Sequence, residues 1–198
     1  RKKRSLLVRQ WKKYKVCHEA MDEKILVFKE KGCIVPTHDL IKTPEQIAGI
    51  RESGKVNVAV LDAVASEIKA GMSTEDIDRI VARVTKEYGA VAAPLGYEGF
   101  PKSVCTSINS QVCHGIPSEE DILEDGDIIN VDVSTIYKGY FSDSSRMFCI
   151  GNVSEEMRRL VDITKQSIQV GLEQVKPWNF LGDMGEAIHT FIKEHGYS

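Results

Sequence analysis

Apolar positions along the chain recur with two different periods. Between Thr43 and Gly71 they fall at Ile47, Ile50, Gly54, Val58, Leu61, Val64 or Ala65, and Ile68. That spacing is close to 3.6 residues and predicts a long helix with one buried face. Its start carries a mechanism: Thr43 as N-cap, Pro44 at the first helical position and Gln46 placed to return a hydrogen bond. Gly71 is placed to stop it. A second helix starts near Ser73 or Thr74, buries Ile77, Ile80, Val81 and Val84, and ends at Gly89. Residues 90–117 change grammar, with Gly, Pro, Ser and Asn between short β-type runs, and read as irregular strand and loop. LEDGD is a turn, and DIINVDVSTI with GYFSDSSRMFCI reads as a hairpin joined around Tyr137, Lys138 and Gly139. After Gly151, a helix capped near Ser154 carries Met157, Leu160, Val161, Thr164, Ile168, Leu172 and Val175 until Pro177. A last helix from about Leu181 buries Met184, Ile188 and Phe191 before Gly196. The order predicts an α+β domain. A hairpin flanked by four helices leaves its sheet edges with few partners, so the chain is expected to be part of a larger natural domain.

Composition adds exclusions. With 198 residues, 42% apolar and 28% charged, the chain has the make-up of an ordinary globular domain, which rules out disorder, collagen and a disulfide scaffold. The most apolar stretch, VNVAVLDAVASEI, is broken by Asp62 and Glu67, so no membrane span is expected. Ser5–Val8 is too short for a signal-peptide core, which makes the cytoplasm the default compartment. Five cysteines without a CxxC pair read as reduced thiols, mostly buried. Charge is uneven: residues 1–15 hold eight Lys or Arg and no acid, leaving 18 basic against 29 acidic residues, a formal −11, in the other 183. The boundary falls near Leu40, with a basic extension at 1–40 and the main domain at 41–198. Such a tail suits nucleic acid or a ribosome through counterion release, or is a solvated leader; nothing in it indicates sequence-specific DNA recognition.

Candidate chemistry gathers at the hairpin. If the turn centres between Tyr137 and Lys138, Asp132 and Asp143 face each other directly across the strands. Like charges so placed destabilise unless a proton or a metal ion lies between them. In a register differing by one, each Asp instead points to water. His114, in CHGIP just before the hairpin, is by itself a structural or exposed histidine. Cys105 and Cys113 read as core rather than as soft-metal ligands. Tyr97 and Phe100, in LGYEGF, either pack or line an apolar pocket.

Taken together, LGYEGFPKSVCTSINSQVCHGIP, then DGDIINVDVS, then GYFSDSSRMF resemble the methionine aminopeptidases of the short bacterial-type (type I) class over residues 41–198. The resemblance implies the pita-bread (creatinase/aminopeptidase) fold, of which the chain would hold the N-terminal half, the first helices of the second half and an N-terminal extension. It further implies removal of the initiator methionine from nascent polypeptide N-termini when the next residue is small, by hydroxide attack from a dinuclear metal site. Asp132 matches a metal-chelating Asp and Asp143 the Asp that bridges two divalent ions, which in such sites are Co, Mn, Fe or Zn. His114 matches the His that contacts the scissile amide, and Tyr97, Phe100 and Cys105 match positions lining the methionine pocket. Pro94 departs from the pattern, a Cys being frequent there. The remaining ligands of the family, a His in a GHGIG-type segment and two later glutamates, fall after the position matching Ser198. The chain is therefore expected to hold two of five ligand residues, to be incomplete at its C-terminus, and not to turn over alone.

A second resemblance lies at the front. WKKYKVCH (residues 11–18) is similar to the end of a SEC-C zinc motif, with Tyr14, Lys15, Cys17 and His18 matching, but Leu6 and Val8 stand where its first two cysteines belong. It reads as a decayed zinc knuckle or a chance match. X-Pro peptidases of the same fold share the paired-Asp pattern without the LGYxGxPKSVCTSIN run. A pita-bread binding module or half-domain without catalysis is the competing class.

Overall fold

The computed structural model describes residues 19–37 and 40–198, and the chain divides into two compact units, Arg1–Pro44 and Glu45–Ser198. The expectations for the basic leader and for WKKYKVCH lie outside the described residues. In the first unit, helix α1 (Glu19–Glu30) ends in a turn where the Gly32 N–H donates to Lys29 O and the Cys33 N–H to Phe28 O.

The second unit opens with helices α2 (Pro44–Glu67) and α3 (Thr74–Glu87). α3 follows the sequence pattern closely. The Ser73 side chain caps the Asp76 N–H, the Asp76 carboxylate accepts the Ser73 N–H in return, and Ile77, Ile80, Val81 and Val84 are buried. α2 follows its predicted stripe at Leu61, Val64 and, just past its end, the core-packed Ile68, and departs from it before them. Ile47, Ile50 and Val58 are exposed, and the buried line is Ser53, Val56, Asn57, Val60, Leu61 and Val64. Two polar residues sit on that face because the hairpin beneath offers them partners. Asn57 Nδ2 donates to Val133 O at 2.6 Å and Asn57 Oδ1 accepts from Ser144 Oγ. Ser53 Oγ and Ser142 Oγ share a hydrogen bond of 2.8 Å.

The strands are β1 (Val91–Ala92), β2 (Cys105–Ile108), β3 (Ile128–Tyr137) and β4 (Tyr140–Cys149). All pairings are antiparallel, with β4 along one edge of β3 and both β1 and β2 on the other. The predicted two-stranded hairpin thus gains partners from the irregular segment before it. One sheet face, carrying Ile129, Val131, Val133 and Phe148, packs with Val60, Leu61 and Val64 of α2 and with the buried side of α3 to form the core.

Helices α4 (Glu155–Leu172) and α5 (Leu181–Glu194) follow, α4 capped by Ser154 Oγ on the Met157 N–H. Their predicted apolar stripes are corrected. Ile163, Ser167 and Gly171 are the buried positions of α4, whereas Met157, Ile168, Leu172 and Val175 are exposed. Met184, Ile188 and Phe191 are half-buried rather than buried. The two helices approach closely at Gly171, where a Cβ would lie 2.7 Å from Ile188 Cδ1. The cysteines also differ from expectation, since Cys113 is exposed and Cys33, Cys105 and Cys149 are half-buried. No helix among the described residues is long and apolar enough to cross a membrane.

Candidate active site

Strand β3 sorts its side chains by alternation. Val131, Val133 and Thr135 are buried on the helix side, which leaves Asp132 and Ser134 on the opposite face. The hairpin turn is the two residues Lys138 and Gly139, at φ 50° and 83°, the left-handed pair that a tight type I′ connection requires. Tyr137 therefore pairs with Tyr140, Asp132 with Ser145, and Ser134 with Asp143. This corrects the expected direct opposition of Asp132 and Asp143. The register is shifted by two residues, not one, because Lys138 itself takes the left-handed conformation and moves the turn centre between Lys138 and Gly139. A shift of two preserves side-chain parity. The two carboxylates remain on one face as diagonal neighbours, a relation that spans roughly 7 Å in such a sheet.

Other candidates converge on the same face. Cys105 of β2 pairs with Asp132 across the other edge of β3. The segment before β2 is held on α3, where Asp78 Oδ1 accepts the Ser103 N–H at 2.6 Å and Lys102 pairs with Glu75. His114 sits at φ 56°, uncommon for a non-glycine residue, and Gly115 follows it against the Thr106 carbonyl, where a Cβ would come within 1.9 Å of the oxygen. The Thr106 N–H donates to Gly115 O at 3.0 Å. That close approach fixes the backbone that carries His114. Tyr97, Phe100, Cys105, His114, Asp132 and Asp143 all line one cavity of about 710 Å³. Ile116, Ser134 and Phe141 line it too and were not singled out from the sequence. Ser134 was findable once a two-residue turn is assigned to Lys138-Gly139, since it then falls opposite Asp143. Ile116 and Phe141 carry no signal that separates them from ordinary apolar positions.

The electrostatics follow from burial and like charge. Burial, and after it the negative charge of Asp143, push the Asp132 carboxyl above its ordinary range, while His114 acts in the opposite direction. Cys105 is pushed up by burial first and then by Asp132, Cys113 and Asp143, so it stays a neutral thiol and offers no thiolate nucleophile. Ser134 Oγ donates to Asp143 Oδ1 at 2.7 Å. Hard carboxylate oxygens converging on one cavity suit a divalent cation. Among the described residues, however, no group of three or more His, Cys, Asp or Glu is placed to hold a metal ion, so the two aspartates fit as part of a donor set rather than a complete one.

Known proteins place this arrangement in a class. The methionine aminopeptidase of Rickettsia prowazekii superposes with a TM-score of 0.78 at 39% identity, over 80% of this chain and 63% of that one. Prolidase from Pyrococcus furiosus superposes with a TM-score of 0.68 at 23% identity, over 80% and 45%, which bears on the fold alone. The fold is the pita-bread fold. Residues 48–198 match the model of metallopeptidase family M24, and the chain belongs to that family. It is 43% identical over 153 residues to methionine aminopeptidase A of Synechocystis, covering 77% of this chain and 60% of that protein. It is 44% identical over 159 residues to methionine aminopeptidase of Escherichia coli, covering 80% and 60%. The chain thus spans about three fifths of the length of these relatives. Membership of a metallopeptidase family implies divalent metal ions.

Proposed function

We propose that this chain carries part of the catalytic apparatus of a metal-dependent aminopeptidase that removes methionine from polypeptide N-termini whose next residue is small. The observation that carries the reading is the convergence of His114, Asp132 and Asp143 with Tyr97, Phe100 and Cys105 on one cavity. Asp132 and Asp143 would contribute carboxylate oxygens to a site for two divalent cations, the ions being Co, Mn, Fe or Zn. Bound there, such ions supply Lewis-acid polarisation of a carbonyl and a water of lowered pKa. His114 donates a hydrogen bond to the amide that is cleaved. Tyr97 and Phe100 present apolar surface to the methionine side chain, and the neutral Cys105 thiol adds a polarizable contact to it. Residues 41–198 form the catalytic portion and 1–40 an extension, a division supported by the break between compact units after Pro44. The substrates are nascent chains in the cytoplasm, and the eight basic residues of the leader favour contact with the ribosome.

A specific observation favours a second reading for the 198-residue chain by itself. Two carboxylates with no third side chain placed to complete a metal site, among the described residues, make it a half-domain that binds metal weakly and does not turn over. The test is the intact mass of the purified protein, followed on the same sample by hydrolysis of Met-Ala-Ser with added Mn(II) or Co(II). Metal-dependent methionine release that is lost in Asp143→Ala supports the enzyme. Turnover at a mass of 22.1 kDa rejects the half-domain reading. No release by a heavier form that carries further ligands rejects the aminopeptidase.

A further inference from the structure

We infer that Ser134 is a positioning residue for Asp143, its hydroxyl holding the carboxylate in the one orientation that presents the remaining oxygen lone pairs to a cation in the cavity. The inference rests on the metal-binding reading of the aspartate pair given above. Ser134 and Asp143 are directly paired across β3 and β4, and Ser134 Oγ donates to Asp143 Oδ1 at 2.7 Å. Among the described residues no Lys or Arg forms a salt bridge with either aspartate, so the hydroxyl is the one side-chain donor seen on Asp143.

The bond has two consequences. An exposed Asp on a strand samples several rotamers, and each bond to a fixed partner removes rotational freedom that cation binding would otherwise have to remove. The donor also occupies only one lone pair of Oδ1, which leaves Oδ2 entirely open. Ser134 shares its face with Asp132, so the hydroxyl draws Asp143 across onto the strand that carries the diagonal carboxylate, in the cavity that all three residues line. Partners of ligating carboxylates in this relation typically change metal affinity about 10–100-fold when removed.

The experiment follows amide resonances of the 198-residue chain during titration with MnCl2, in the wild type, Ser134→Ala and Ser134→Thr. Paramagnetic broadening at residues 132–134 and 142–144 reports occupancy, and the dispersion of each spectrum with the urea midpoint reports folding. The expected result is a broadening midpoint about tenfold higher in Ser134→Ala, restored in Ser134→Thr, with an unchanged urea midpoint. Equal midpoints in all three chains overturn the role of Ser134 while leaving the metal site intact. A loss shared by Ser134→Thr traces to packing and overturns it as well. No local broadening in any chain refutes the metal reading of the aspartates and this inference with it.

Discussion

Asn57 is the residue whose replacement tests most sharply how the aspartate-bearing hairpin is held. It is 1% exposed on α2, and both ends of its amide bind the hairpin: Nδ2 to Val133 O at 2.6 Å and to Ser142 O at 3.5 Å, Oδ1 to the Ser144 hydroxyl. Val133 follows Asp132, and Ser142 and Ser144 flank Asp143, so this amide backs both carboxylates from the core side. Leucine has the same number of side-chain heavy atoms and keeps the space filled while removing every hydrogen bond. Two net hydrogen bonds at about 1 kcal/mol each, with about 1 kcal/mol for a carbonyl left poorly satisfied, give a loss of about 3 kcal/mol. At a urea m value of about 2 kcal/mol/M, the midpoint falls by about 1.5 M. Asn57→Asp places a carboxylate against the Val133 carbonyl and costs at least as much, about 3–5 kcal/mol, through an uncompensated buried charge. Urea unfolding followed by far-UV circular dichroism measures both. An Asn57→Leu chain within about 0.5 kcal/mol of the wild type would refute the reasoning, because buried polar groups that lose all their partners are not that inexpensive.

Gly115→Ala drives a Cβ into the Thr106 carbonyl and is expected to cost about 2–3 kcal/mol, with chemical-shift changes concentrated at His114 and β2. Asp78 has a folded-state pKa raised by burial, against the opposing Ser103 N–H and Lys102. Between the unfolded value, about 3.9, and the raised one, the folded state holds the extra proton, so wild-type stability falls as pH rises through that window. Asp78→Asn keeps an acceptor for the Ser103 N–H, and its urea midpoint relative to wild type should therefore improve from pH 4 to pH 7. Asp76 has the opposite sign, lowered chiefly by hydrogen bonds with Ser73. The stability deficit of Asp76→Asn should be present at pH 7 and close as pH falls from the unfolded value, about 3.9, through the lowered folded one.

What the sequence made legible differs between elements for physical reasons. α3 was readable because its cap pair, Ser73 and Asp76, and its apolar line obey the same helical register. The N-terminal half of α2 was misread because Ser53 and Asn57 are buried against hydrogen-bonding partners contributed by residues 76–89 positions away. Hydropathy assigns such residues to solvent. In α4 the burial of Gly171 reflects how near a second helix comes, which no apolar count encodes. The shared face of Asp132 and Asp143 was legible from the hairpin, but their diagonal relation was not, because it depends on Lys138 accepting φ 50°. The ring of Tyr97, Phe100, Cys105 and His114 around the carboxylates came from the motifs rather than from periodicity.

The measurement that bears most directly on the aspartate pair is electron paramagnetic resonance of free Mn(II) added to the chain at neutral pH, compared with Asp132→Asn and Asp143→Asn. The wild-type chain should reduce the free-ion signal saturably. Each single variant should abolish that reduction, and the double variant should be no worse than either, as the proposed action of the two carboxylates as one donor pair requires. A wild-type chain and variants that leave the same free Mn(II) signal would contradict the proposed cation site at Asp132 and Asp143 on the cavity face of the hairpin.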